Sequence, residues 1–292
     1  MQINSELVGL KLKEYTTEVD WRQTTNYAAA VRDPNPRYFN DEQPEGLVAH
    51  PMFASAVSWP VISNITEYID LKEASGLLYT IVHYTEYLHF HRPIKPGDRL
   101  WTTGEIAGVL PRRNGTHIIF RFPFTDAHGE PVFTEYLGGM LRGVECIDNG
   151  RGEGNLPEVP SPGEITSPAW EVTEHIAPEA PYIYDGCTDI VFAIHTSPAF
   201  ARSVGLPGVI LQGTCTLARA VRELINREAN GEPEALKNLY CRFKAMVLPG
   251  ENIKIRLIKR IEDKKGKQLF FEVQNQRGET SLSNGYALVK HL

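Results

Sequence analysis

LHFHRPIKPGDRL at residues 88 to 100 and CRFKAMVLPGENI at residues 241 to 253 align without a gap, and the organisation of the chain follows from that register. Pro96-Gly97-Asp98 falls on Pro249-Gly250-Glu251. Proline presets φ and glycine supplies a positive φ, which is the chemistry of a type II turn. Before each turn lies an apolar helical stretch, HPMFASAVSWPVISNITEYI from His50 and QGTCTLARAVRELINREA from Gln212. In the second of these, Leu217, Ala220, Val221, Leu224 and Ile225 recur at i, i+3, i+4, i+7 and i+8, one buried stripe opposite Arg219, Arg222 and Glu223.

Around and beyond the turns come runs with strand character. In the first half these are TIVHYTEYLHFHRPI, RLWTTGEIAGVL, THIIFRFPFTDA and EPVFTEYLGGMLRGVE; in the second, LKNLYCRFKAMV, NIKIRLIKRIED, QLFFEVQNQ and TSLSNGYALVKHL. Their alternation, and turn signals such as RNG, HGE, KKGK and QRGE, indicate antiparallel hairpins. Helix first and then a long meander, twice over, predicts an α+β protein with an antiparallel sheet wrapped round a central helix in each half. The stretch NGRGEGNLPEVPSPGEITSP, dense in Gly, Pro and acidic residues, reads as the linker. The expected boundaries are 1–148, a linker over 149–168, and 169–292.

Composition narrows the function. The chain has 292 residues, 42% hydrophobic and 23% charged, which describes a globular protein long enough to fold without a metal or disulfide staple. A net charge of −6 argues against a nucleic-acid partner, and Arg112–Arg113 and Lys264–Lys265 with Lys267 read as solvated hairpin tips. No segment reaches the ~20 apolar residues of a membrane span, and MQINSELVGLKLKEY has charges that interrupt a signal-peptide core. Cys146, Cys187, Cys215 and Cys241 form no CxxC pair, which suits reduced thiols and a cytoplasmic setting. His83, His89 and His91 have no carboxylate or cysteine at ligand spacing, so no metal is expected there.

VRDPNPRYF and HRPIKPGDRL in the first half, and IHTSPAFARSVGLPGVILQGTCTLA in the second, together resemble the MaoC-like or hydratase 2 family. That resemblance spans nearly the whole chain and implies two hotdog folds in one polypeptide. It also implies a hydro-lyase that reversibly adds water to a trans-2-enoyl thioester, or dehydrates a (3R)-hydroxyacyl thioester, with no cofactor beyond the substrate's own CoA or carrier-protein phosphopantetheine arm. The family motif runs approximately Gly-Asp-x-Asn-Pro-aliphatic-His, with a His-Gly or similar step at the helix start. In the first half Asp33, Asn35 and Pro36 match it, while Tyr38 stands at the histidine position. In the second half His195 matches, but Phe192 and Ala193 replace Asn and Pro, and the aspartate position holds Ile190, with Asp189 one residue earlier.

The resemblance therefore implies catalysis in the second half, by His195 with Asp189 returned to the site by a small bulge. The first half, degenerate at Tyr38, would accommodate the acyl chain, with Phe53, Trp59 and Tyr68 as lining candidates. An imidazole and a carboxylate sharing one water can add it to one face of the substrate. A backbone N–H at Gly213, where the central helix starts, would hold the developing oxyanion. Taken singly, the same residues read otherwise: His195 as a cap on the SPAFARSVG helix, Asp189 as a turn residue or N-cap, Gly213 as a tight turn. Asp33 and Asn35 read as a preserved turn, and Cys187 and Cys215 lack an adjacent base for thiol catalysis. Two further readings stay open: a hotdog acyl-thioester binder without turnover, and a related enzyme acting on a polyketide-like acyl chain. A monomer and a homodimer fit the duplication equally.

Overall fold

The two Pro-Gly turns adopt the geometry their residues dictate, and they do so identically. Gly97 and Gly250 both have φ of 86°. The turns close through Asp98 N–H to the Lys95 carbonyl, 3.1 Å, and Glu251 N–H to the Leu248 carbonyl, 3.3 Å. Each glycine N–H then reaches the chain just ahead of its half's first helix, at Val19 O (2.7 Å) and Ile176 O (2.8 Å).

The computed structural model describes residues 1–69, 81–165, 167–264 and 266–291. The first half contains β1 (Gln2–Ile3), β2 (Tyr15–Glu18), α1 (Trp21–Ala30), α2 (Ala54–Ser63), α3 (Ile65–Tyr68), β3 (Ile81–Phe90), β4 (Arg99–Thr102), β5 (Glu105–Arg112), β6 (Gly115–Thr125), β7 (Pro131–Arg142) and β8 (Glu145–Cys146). The second contains β9 (Trp170–His175), α4 (Ala180–Thr188), α5 (Pro198–Ser203), α6 (Gly213–Glu228), β10 (Leu236–Phe243), β11 (Asn252–Asp263), β12 (Gly266–Gln274) and β13 (Thr280–Val289). Apart from the short parallel β1–β8 pair, the strands form one 11-stranded sheet in the order β2-β4-β6-β7-β3-β10-β13-β12-β11-β9, with β5 beside β6.

The halves meet where β3 pairs antiparallel with β10, Tyr87 opposite Tyr240. Those tyrosines are equivalent in the repeat, so a pseudo-twofold axis passes between them. It also passes between α1 and α4, whose Tyr27 and Tyr184 hydroxyls hydrogen-bond at 2.9 Å across 157 residues of sequence. One apolar core runs through both halves, from Leu88, Phe122 and Phe133 to Leu217, Leu224 and Phe271.

Three expectations change. RLWTTGEIAGVL is two strands, because Leu12 N–H takes the Gly104 carbonyl (2.8 Å) and the amino-terminal segment enters the gap. The helix from His50 breaks at Asn64 (φ −120°, ψ 31°), whose side-chain amide donates to the Pro60 carbonyl, 3.0 Å. Such a bond offers the backbone an alternative to the helical ladder. On α6 the polar face is buried as well as the stripe, with Arg219 1% and Arg222 9% exposed, because that face packs on the first half. Arg222 donates to the Val31 carbonyl at the end of α1 (3.0 Å) and to Glu174 (2.7 Å), and Arg219 also pairs with Glu174.

The linker is anchored at its start: Val109 and Arg151 exchange both backbone hydrogen bonds at 3.0 Å. Thr80 of the first strand run, Lys265 of the KKGK turn and the terminal Leu292 lie outside the described residues. Among the described residues no helix is long and apolar enough to cross a membrane. His89 and His91 contact edge to face at 4.5 Å, and His89 also bonds Asn238. No group of three metal-ligating side chains forms among the described residues.

Several ionisable groups are buried uncharged. Burial lowers His50 and His117 to about 3, and His83 and His195 to about 4. It raises Glu86 to about 8, and it raises Glu135 well above the carboxylate range, with neighbouring Glu86 adding to the effect. Below the ordinary histidine pKa of about 6.5 the unfolded chain binds histidine protons that the folded chain refuses, so stability falls as pH drops. Above the ordinary glutamate pKa of about 4.3 the folded chain keeps carboxyl protons that the unfolded chain releases, so this pair loses stability as pH rises. The four histidines outweigh the two glutamates on the acid side. Thermal unfolding between pH 4.5 and 8.5 should therefore show a maximum Tm near pH ~6.5, with a decline on both sides; a Tm that climbs steadily through pH 8 would contradict this assignment.

Candidate active site

The segment after α1 and the segment after α4 start alike. Each helix is followed by a residue in the left-handed region, Arg32 (φ 58°) and Asp189 (φ 56°). With Tyr27 on Tyr184 this sets Asp33 on Ile190, Asn35 on Phe192 and Tyr38 on His195. The second segment is longer and carries α5. The two rejoin at the central helices, where His50 (φ −56°, ψ 135°) and Gln212 (φ −58°, ψ 134°) occupy the same N-cap conformation.

His195 sits in a turn closed by its own N–H on the Phe192 carbonyl, 3.0 Å, just ahead of Ser197, whose hydroxyl caps α5 by accepting from Phe200 N–H. The capping role thus belongs to Ser197. His195 Nδ1 lies 2.8 Å from the Ile210 carbonyl. A carbonyl can only accept, so Nδ1 carries the proton and Nε2 presents a lone pair. Burial holds the ring's pKa at about 4, so it is neutral at physiological pH.

Three residues after Ile210 the chain enters α6. Gln212 makes no side-chain cap; its amide donates instead to the Pro181 carbonyl, 3.0 Å. Gly213 N–H makes no hydrogen bond among the described residues, at the positive end of a 16-residue helix. Glycine is required there, because a Cβ would lie 2.9 Å from the Phe243 ring. His195 and Gly213 are thus brought to one helix terminus by the Ile210 bond.

Asp189 is not brought there. It is the C-cap of α4, exposed, and its carboxylate makes no hydrogen bond or ion pair among the described residues. Asp189 has a left-handed φ of 56°, and the motif position is filled by buried Ile190. The expected pairing of Asp189 with His195 is therefore absent from the geometry. A different acid, Asp185 on α4, has one buried carboxylate oxygen without a partner. It lies ten residues before the histidine, outside the spacing of the motif.

The first half has no such free donor at the head of its central helix. Asp33 and Asn35 build a turn: Asp33 Oδ1 accepts from Asn35 N–H (3.1 Å) and Asn35 Oδ1 from Arg37 N–H (3.0 Å). Tyr38 and His50 are fully buried, and His50 Nδ1 accepts from Met52 N–H, capping its own helix start. The position of Gly213 is taken by Pro51, which has no N–H to give. Cys215 is buried and its thiol pKa is pushed up by burial, against a nucleophilic role. Phe53 is buried in the core, and Trp59 and Tyr68 pack partly buried against it.

A MaoC like domain model matches residues 166–282, and a FAS1-like dehydratase domain region matches residues 6–135. Peroxisomal enoyl-CoA hydratase 2 of Arabidopsis thaliana is 25% identical over 210 residues, covering 70% of this chain and 67% of that protein. A UPF0336 protein of Saccharopolyspora erythraea is 30% identical over 133 residues, 44% of this chain and 83% of that protein. A MaoC-like dehydratase from Phytophthora capsici superposes with a TM-score of 0.83 at 20% identity, covering 98% of each chain. A Mycobacterium tuberculosis protein described as a double hotdog superposes with a TM-score of 0.61 at 13% identity, over 96% of this chain and 95% of that one. With one half matched by each model, the chain carries a MaoC like domain in its second half and a FAS1-like dehydratase domain region in its first, and as a whole it has the double hotdog fold.

Proposed function

We propose that this protein is a hydro-lyase that adds water reversibly to a trans-2-enoyl thioester, giving the (3R)-hydroxyacyl thioester, at a site in its second half. The observation that carries the reading is the pairing of a histidine whose Nε2 is fixed as a lone-pair acceptor with an unclaimed backbone N–H at Gly213. The relatives named enoyl-CoA hydratase 2, in Arabidopsis thaliana and Dictyostelium discoideum, support it. The substrate is taken as an acyl-CoA, bound without a further cofactor. The cytoplasmic setting suggested by four free cysteines is part of the same proposal, beside relatives in Arabidopsis thaliana and Drosophila melanogaster that are named peroxisomal.

The chemistry follows from the two groups. His195 Nε2 takes a proton from water as the water oxygen bonds to C3 of the enoyl group. The double-bond electrons move to C2 and the thioester oxygen, where Gly213 N–H and the α6 dipole stabilise the charge. C2 then takes the proton from the imidazolium on the same face, and the ring is neutral again. Because burial keeps the free ring's pKa at about 4, the base stays unprotonated well below neutral pH. An acyl-thioester binder without turnover is favoured by one observation, Ile190 in place of the motif carboxylate. Turnover separates the two.

Crotonyl-CoA hydration, followed as loss of enoyl-thioester absorbance, should be measurable for the wild type. It should fall about 100- to 10,000-fold in kcat for His195→Ala. Measurable ligand binding with no turnover on short or long enoyl chains would select the binder. Gly213→Ala should lose about 1–3 kcal/mol of stability through collision with Phe243, recovered in Gly213→Ala/Phe243→Leu. A single Gly213→Ala variant as stable as wild type would remove the steric reason for glycine.

A further inference from the structure

Positive charge gathers at the end of the sheet nearest Gly213, although the chain as a whole carries a net charge of −6. Arg113, Arg142, Arg242 and Lys244 make no side-chain hydrogen bond or ion pair among the described residues. Arg112 has one acid, the exposed Glu153 at 3.1 Å. Residues 106–125, which carry the Arg112–Arg113 tip, contain no Asp or Glu at all.

The strand register places these cations on one face. Phe243 points inward, its ring 2.9 Å from where a Cβ on Gly213 would lie, so its neighbour Arg242 points to the outer face of the sheet. There the Arg242 guanidinium lies 4.6 Å over the Tyr84 ring, and Tyr84 meets His117 edge to face at 4.9 Å. His117 stands opposite Met140 on one side and Leu110 on the other; Gly115 stands likewise between Arg142 and Arg112. Opposed residues face the same way, and two residues along a strand are about 7 Å. Arg142 and Arg112 therefore come next after His117 on the face that Arg242 occupies, with Arg113 in the adjoining turn.

The chemistry of this face suits phosphate. Stacking on Tyr84 fixes the Arg242 guanidinium by its flat side and leaves its edge for a bidentate acceptor. Its Nε is already buried without a partner. In the gapless alignment of the two Pro-Gly segments, Arg242 and Lys244 fall on His89 and His91. The hairpin tip of the second half has Glu262 and Asp263 ahead of Lys264. Cations at these positions thus accompany Gly213, the free donor, and not Pro51.

We propose that Arg142, Arg242 and Lys244, with the Arg112–Arg113 tip, bind the phosphates of free coenzyme A, so that the acyl group arrives as its CoA thioester and not on a carrier protein. This rests on the thioester reading above. Coenzyme A brings a diphosphate and a 3′-phosphate, where a carrier-borne arm brings a single phosphodiester. An extended pantetheine arm spans about 15 Å, at about 3.5 Å for every three backbone bonds. That reach carries it from Gly213 past Phe243 and over the end of the sheet to the arginines.

The test compares crotonyl-CoA with crotonyl-pantetheine in the wild type, in Arg142→Gln/Arg242→Gln, and in Arg99→Gln as a control elsewhere on the surface. For the double variant the KM for crotonyl-CoA should rise about tenfold or more, with kcat within about threefold. Its KM for crotonyl-pantetheine should match that of the wild type, and Arg99→Gln should match the wild type on both substrates. Added salt should raise the crotonyl-CoA KM of the wild type more than that of the double variant. Should loss of the stacked Arg242 unfold the protein, Arg142→Gln/Lys244→Gln, both exposed, gives the same reading with a rise of about threefold or more. An unchanged KM for crotonyl-CoA, an equal rise for both substrates, or a wild type that prefers a crotonyl-carrier protein overturns the proposal. If the wild type is inert on enoyl thioesters the hydro-lyase reading fails first, and calorimetric titration with coenzyme A decides the phosphate site independently. Binding about tenfold weaker in the double variant supports it; equal affinity, or no binding by the wild type, overturns it.

Discussion

The antiparallel pairing of β3 with β10 is the constraint from which the rest of the molecule follows. With Tyr87 opposite Tyr240, the two repeats share one sheet, and the register of each half is fixed against the other. A one-residue slip there would turn the inward-facing Leu88, Phe90 and Leu239 outward. The helical layer is tied at the same axis by the Tyr27–Tyr184 hydrogen bond, and by Arg222, which reaches from α6 to the carbonyl end of α1. A cation at the last carbonyls of a helix is favoured by its dipole. The ion pairs of Arg219 and Arg222 with Glu174 lie within the second half, and Arg222 carries that network across to the first through the Val31 carbonyl.

Pseudo-symmetry makes the difference between the halves chemically readable. At the head of each central helix the backbone is the same, but one half offers Gly213 with a free N–H and the other Pro51 with none. Beside it, one half has His195 with Nε2 open, and the other has buried Tyr38 and a His50 that caps its own helix. Binding energy for a developing oxyanion is therefore available on one side of the axis only. In the first half Asp33, Asn35, Tyr38 and His50 are all buried, so these positions serve packing there.

Much of this was legible in the chain before any coordinates. The two Pro-Gly turns, the α6 stripe and the strand runs are local patterns, and local patterns survive folding when tertiary packing agrees with them. His195 and Gly213 could be placed because a helix start and the loop before it are contiguous in sequence. Two things were not legible. The arginine face of α6 reads as solvent-facing by periodicity alone, since a period reports a helix's own faces and nothing about the first half and β9, which cover them. The carboxylate was sought at Asp189 because motif spacing counts residues along a loop. The left-handed residue at the end of α4 instead leaves Asp189 exposed, which a count of residues does not show.

The central claim is that the reaction belongs to one end of one helix. A crystal structure with butyryl-CoA, a saturated thioester that cannot be hydrated, tests it directly. The account predicts the thioester oxygen within hydrogen-bond distance, about 3 Å, of Gly213 N, with C3 facing His195 Nε2. A thioester seated instead against His50 and Pro51 in the first half would contradict it.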